Sequence, residues 1–91
     1  MPENILEEAN RLIHKDRNET YGHPLDDFTK TAGLWSVILS TEVTPEQVAL
    51  CMVAVKISRE MNAHKRDNLT DGAGYFGTLE MIYDEKERRN G

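Results

Sequence analysis

Ninety-one residues suffice for one small domain with a single core, and a chain this short commonly gains further burial by self-association. Eleven basic against sixteen acidic residues leave a net charge of −5, which excludes the basic surplus of a nonspecific nucleic-acid binder but not a small anion held by local cations. One cysteine (Cys51, inside an apolar run) reads as a buried thiol in a reducing compartment, and no apolar stretch or signal-like N-terminus points to a membrane, so the expectation is cytoplasmic.

The first predicted helix runs from about Pro2 to Arg17. Ile5, Ala9, Leu12 and Ile13 recur at helical spacing, and Glu3, Glu7 and Glu8 suit the positive end of the helix dipole. Gly22 suits a helix C-terminal cap, and Pro24 the first turn of a second helix running to Leu39. Its stripe is Leu25, Phe28, Ala32, Trp35 and Leu39, widened by Leu34 and Ile38. His23 reads as a turn or cap residue, and Asp26 and Asp27 as first-turn carboxylates. In STEVTPEQ, Thr44 is the N-cap, Pro45 the first helical residue and Gln47 the capping-box partner. The third helix therefore runs from Pro45 to Met61. Its apolar run, Val48 to Val55, predicts a central helix buried nearly all round in its first half. A fourth helix starts near Asp67 to Thr70, carries Tyr75, Phe76, Leu79, Ile82 and Tyr83, and gives way to a polar, frayed end at 86–91. The fold class is all-α: one domain, a compact bundle of about four helices, completed by homo-oligomerisation.

KISREMNAHKRDNLTDGAGYF joins the third and fourth helices. Lys56 and Arg59 share a face, as do Asp67, Asp71 and Tyr75, and antiparallel packing brings the cations and carboxylates to similar heights. Interhelical salt bridges alone account for that, and exposed ones contribute little, roughly 0–1 kcal/mol. Two features favour a site. The cations directly follow the most apolar run, where enclosed charges must be paired or bind something. Gly72, Gly74 and Gly77 each cost a helix about 1 kcal/mol relative to alanine, which tight packing or close approach of a ligand would explain. Arg17 and Tyr21 form a second polar cluster with His23, Asp26 and Asp27, in which Tyr21 packs the turn or offers a face to a planar base. A zinc site, a P-loop and a nucleophile–histidine pair are all missing from the pattern. Carboxylates with cations are what Mg²⁺ and phosphate oxygens require.

ILEEANRLI, the set Arg17, Tyr21, Gly22, Pro24, Asp27 and Phe28, then Trp35, Lys56 with Arg59, and Asp67, Asn68, Asp71, Gly74 and Tyr75 resemble a small phage and prophage family of unknown function, over nearly the whole chain. More distantly the pattern is similar to all-α nucleoside triphosphate pyrophosphohydrolases of the MazG type. That resemblance implies helical dimers or tetramers and Mg²⁺ held by a Glu-x-x-Glu and a Glu-x-x-Asp pair, yielding a monophosphate and pyrophosphate. NLTD keeps Asp71 but has Asn68 in place of the glutamate, with Asp67 as a substitute. No Glu-x-x-Glu exists here, and Glu8 or Asp27 is the nearest replacement. The expectation is a host-cytoplasmic, phage-encoded nucleotide binder with Mg²⁺ on Asp71, Asp67 and Asp27. Lys56, Arg59 and Arg17 would meet phosphates, and Tyr75 and Tyr21 would stack on the base. Hydrolysis, sequestration of a nucleotide-like signal and binding of a host factor remain alternative uses of these residues.

Overall fold

In the computed structural model, which describes residues 2–91 apart from the Asp16 side chain, the chain enters its first helix at Asn4. The Asn4 side chain accepts from the Glu7 amide while Glu7 accepts from the Asn4 amide, a reciprocal cap that starts α1 (Ile5–Arg11). Glu3, read as a first-turn residue, therefore lies outside the helix and pairs with Arg11 at 3.0 Å. A π-helical turn (Leu12–Asp16) follows, in which the Arg17 amide reaches back to the Leu12 carbonyl, and α2 (Arg17–Tyr21) continues the rod. Gly22, at φ 76°, ends it in the left-handed region where glycine is favoured.

His23 then caps α3 (Pro24–Leu39), its Nδ1 accepting from the Leu25 amide at 3.0 Å, so the reading of His23 as a cap holds. The C-terminus of α3 closes as a Schellman motif. Thr41 donates to the Ser36 carbonyl and Ser40 to that of Val37, with Ser40 itself left-handed at φ 53°. Thr44, Pro45 and Gln47 start α4 (Pro45–Asn62) by the expected capping box. The last helix, α5 (Arg66–Asn90), continues through the segment expected to fray. No strand occurs among the described residues, and the fold is all-α, with four rods packed together.

The core joins Leu25, Phe28 and Ala32 of α3, Val48 and Ala49 of α4, and Ile82 of α5. Trp35, Val43, Tyr75 and Leu79 pack around it. The central element is α5, which touches α1, the π turn, α3 and α4, whereas α4 touches only α3 and α5. This corrects the expectation for α4. Val48, Ala49 and Val53 are buried, but Leu50 and Cys51 are exposed, because α4 has partners on one side only. Cys51 is thus an exposed thiol, not a buried one. Leu34, Ile38, Leu39, Phe76 and Tyr83, assigned to apolar stripes, are exposed as well.

Candidate functional site

The N-terminal rod and α5 enclose a cavity of about 320 Å³. One wall carries Ala9, Leu12, Ile13, Arg17 and Tyr21; the other carries Thr70, Asp71, Gly74, Tyr75 and Thr78. Residues four apart drift around a regular α-helix. The wider π turn between Leu12 and Asp16 offsets that drift, so Ala9, Ile13, Arg17 and Tyr21 all reach one cavity.

Arg17 is the most constrained polar group here. Its Nη2 donates to Asp27 Oδ2 at 3.1 Å, and its guanidinium carbon lies 5.0 Å from the Tyr21 ring centroid and 5.3 Å from that of Phe28. Such a cation held between aromatic faces gains about 0.5–2 kcal/mol per contact, depending on desolvation. Its Nε is buried without a hydrogen-bond partner, a position that costs on the order of 1–3 kcal/mol unless something accepts from it. Tyr75 lies across the cavity and packs on Phe28, with ring centroids 6.5 Å apart. Arg17, Tyr21, Asp71 and Tyr75, all candidates from sequence, therefore converge.

Lys56 and Arg59 lie in different surroundings. Lys56 Nζ meets Asp71 Oδ2 at 2.9 Å behind the cavity wall, with its side chain only 15% exposed. Arg59 is exposed and lines a different, polar recess with Ser58, Asn62, Lys65 and Asn68. One helical turn separates the two cations in sequence, but their side chains leave α4 towards different neighbours. Asp67 is exposed and lines neither cavity wall.

Asn68 is buried and donates to Glu60 Oε1 at 3.1 Å. Glu60 also accepts from the Lys65 amide and bonds His64, contacts that hold its carboxyl below the usual range, His64 contributing most. Asn68 thus ties down the turn into α5, whose N-cap residue Lys65 offers no side-chain bond of its own. Glu8, the other candidate for a first acidic motif, is bonded by Arg66 at 2.6 Å and lies outside the cavity lining. Among the described residues no group of three or more His, Cys, Asp or Glu could hold a metal ion. As they stand, the carboxylates do not fit Mg²⁺, which would have to take Asp71 from Lys56 and Asp27 from Arg17.

The glycines serve packing first. A Cβ at Gly77 would sit 2.5 Å from Ile13 Cδ1, and one at Gly74 would sit 3.5 Å from Ile13 Cγ2. Ile13 is seated against α5 at these two positions, with Gly74 also facing the cavity. Sequence reading missed Thr70 and Thr78 as lining residues. They lie four before and four after Gly74, a spacing that puts them on its face of the helix.

Among the described residues no helix is long and apolar enough to cross a membrane. No solved structure matches the chain. Two phage proteins do: the Gene 55 protein of Mycobacterium phage D29 is 48% identical over 86 residues, and that of Mycobacterium phage L5 is 36% identical over 87. Each alignment takes in 93% of this chain but only 57% and 56% of the respective relative, so the chain spans little more than half their length. Residues 4–83 match the family described as "Domain of unknown function (DUF6378)", and the chain belongs to that family.

Proposed function

We propose that the cavity between the N-terminal rod and α5 binds a nucleotide without turning it over, so that the protein sequesters a nucleotide or nucleotide-like signal. The base would lie against Tyr21 and Tyr75, and Arg17, with Lys56 behind Asp71, would face a phosphate. The supporting observation is Arg17 itself, held by its contacts with the Tyr21 and Phe28 rings and by Asp27, at the wall of a cavity bounded by two tyrosines. Planar ligands with one acceptor group match that combination. Hydrolysis with Mg²⁺ on Asp71, Asp67 and Asp27 is the competing use of the same cavity, and it requires two ion pairs to open first.

Thermal-shift measurements with ribo- and deoxynucleotides, with and without Mg²⁺, combined with a pyrophosphate-release assay, separate these uses. A ligand at a hundredfold excess over its Kd adds about 2.7 kcal/mol to folded-state stability, worth on the order of ten degrees in a domain this small. The expected outcome is such a rise for at least one nucleotide, no pyrophosphate, and loss of the rise in Arg17→Ala. Pyrophosphate release abolished by Asp71→Ala would establish the hydrolase instead. Neither shift nor turnover would leave a helical protein that acts on a host factor.

A further inference from the structure

We infer that the ligand of this cavity carries at most one phosphate: a nucleoside or nucleoside monophosphate, not a di- or triphosphate. The inference rests on the nucleotide reading above and concerns which nucleotide the cavity can hold.

Charge balance carries it. Among the described residues two cations stand at the cavity, and each already has a carboxylate: Arg17 with Asp27 at 3.1 Å, and Lys56 with Asp71 at 2.9 Å. Their formal sum is zero, in a chain whose net charge is −5. A triphosphate brings several negative charges, and holding them against a site with no spare counter-charge is unfavourable. Arg66, a further cation near the start of α5, is taken by Glu8.

The backbone offers no replacement for the missing cations. Phosphate sites commonly use free amides at helix N-termini, but the lining residues of both walls lie along helix flanks and not in a first turn. The N-terminus of α3, beyond Tyr21, is capped by His23.

What the cavity does offer suits a base and a sugar. Ala9, Leu12, Ile13 and Gly74 give apolar surface between the two tyrosines, and Asp71 is an acceptor for sugar hydroxyls. A volume of about 320 Å³ lies at the small end of the range for ligand sites. Arg17 is the one cation among the described lining residues, which suits a single phosphate at most.

Isothermal titration of the full chain, at fixed ionic strength and in EDTA, would compare the nucleoside, mono-, di- and triphosphate of the base giving the largest thermal shift. The nucleoside and monophosphate are expected to bind with Kd values within about threefold of each other, and the triphosphate at least about tenfold more weakly. A triphosphate that binds as tightly as the monophosphate, or more tightly, overturns the inference while leaving the nucleotide reading intact. No binding by any member of the series overturns both. Asp71→Asn frees Lys56 and removes one negative charge, so the affinity of triphosphate relative to nucleoside should rise about tenfold. An unchanged or lower ratio also overturns it, because a freed Lys56 and one negative charge fewer would then not help the triphosphate. Circular dichroism confirms the variant's fold, and the wild-type series decides alone should the variant not fold.

Discussion

Ile13 and Gly77 show at the scale of single residues how packing and site are coupled. Ile13 is buried, and its δ-carbon occupies the space a Cβ on residue 77 would need. Gly77→Ala gains about 1 kcal/mol of helix propensity, and the atom in its way is the free end of the Ile13 side chain, which lines the cavity and can turn aside. The expected result is a net gain of less than about 1 kcal/mol, read by urea denaturation. Ile13→Val removes the obstructing methyl, so in that background Gly77→Ala should gain the full amount of about 1 kcal/mol. A gain of the same size in both backgrounds would separate Gly77 from Ile13. Sequence shows that a glycine-rich helix needs close approach, but not by what. Here the approaching group is a side chain of the N-terminal rod, which helical spacing on α5 alone does not reveal. Arg17 and Tyr21 were legible as part of a polar cluster around the turn at Gly22 and Pro24, and Asp71 and Tyr75 by their four-residue spacing beside Gly74. The parting of Lys56 from Arg59 was not legible, since a spacing of three fixes a shared face only roughly and neighbouring helices decide the rest.

At the scale of elements, caps were the most legible feature, because Thr44, Pro45 and Gln47 act within four residues of one another. Features that depend on distant partners were not. The end of α5 reads as a solvated tail, yet Arg89 bonds Asp26 at 3.0 Å and Lys86 bonds Glu46 at 2.7 Å, tying it to α3 and α4. Glu85 organises this end. Hydrogen bonds from Arg88 and Arg89 hold its pKa down at about 2, against an ordinary value of 4.5, and Arg89 likewise lowers Asp26. A carboxylate whose pKa is depressed by folding contributes stability that is present above its unfolded pKa and lost as pH falls towards its folded one. The fold should therefore weaken progressively from pH 4.5 down to about 2. Glu85→Gln should lower Tm at neutral pH and flatten that acid limb, as followed by circular dichroism melts across the range. An acid limb of unchanged slope in the variant would mean that other carboxylates carry it.

Taken as a whole, the molecule is flat. Its extents are 40 × 31 × 21 Å, and its radius of gyration of 13.9 Å exceeds the roughly 12 Å of a compact chain of this length. The shape follows from α5 lying centrally while α3 and α4 each keep one side open. On α4, Leu50, Ala54, Ile57 and Met61 follow helical spacing and are exposed; on α3, Leu34, Val37 and Ile38 do the same. Val37 is 78% exposed and Met61 84%, values unlike those of residues that complete a core. The apolar run of α4 promised burial all round, and a single chain covers only half of it. Water contact with such contiguous apolar surface is unfavourable by about 25 cal/mol per Å². Burial of these faces against a second copy of the chain is the expectation that sedimentation velocity tests. Sedimentation velocity should give a mass above one protomer that rises with concentration. Val37→Glu and Ile57→Glu, at positions exposed in a single chain, should each shift it towards one protomer while preserving helix content. A wild-type chain that sediments as one protomer at every concentration would assign these faces to a different partner.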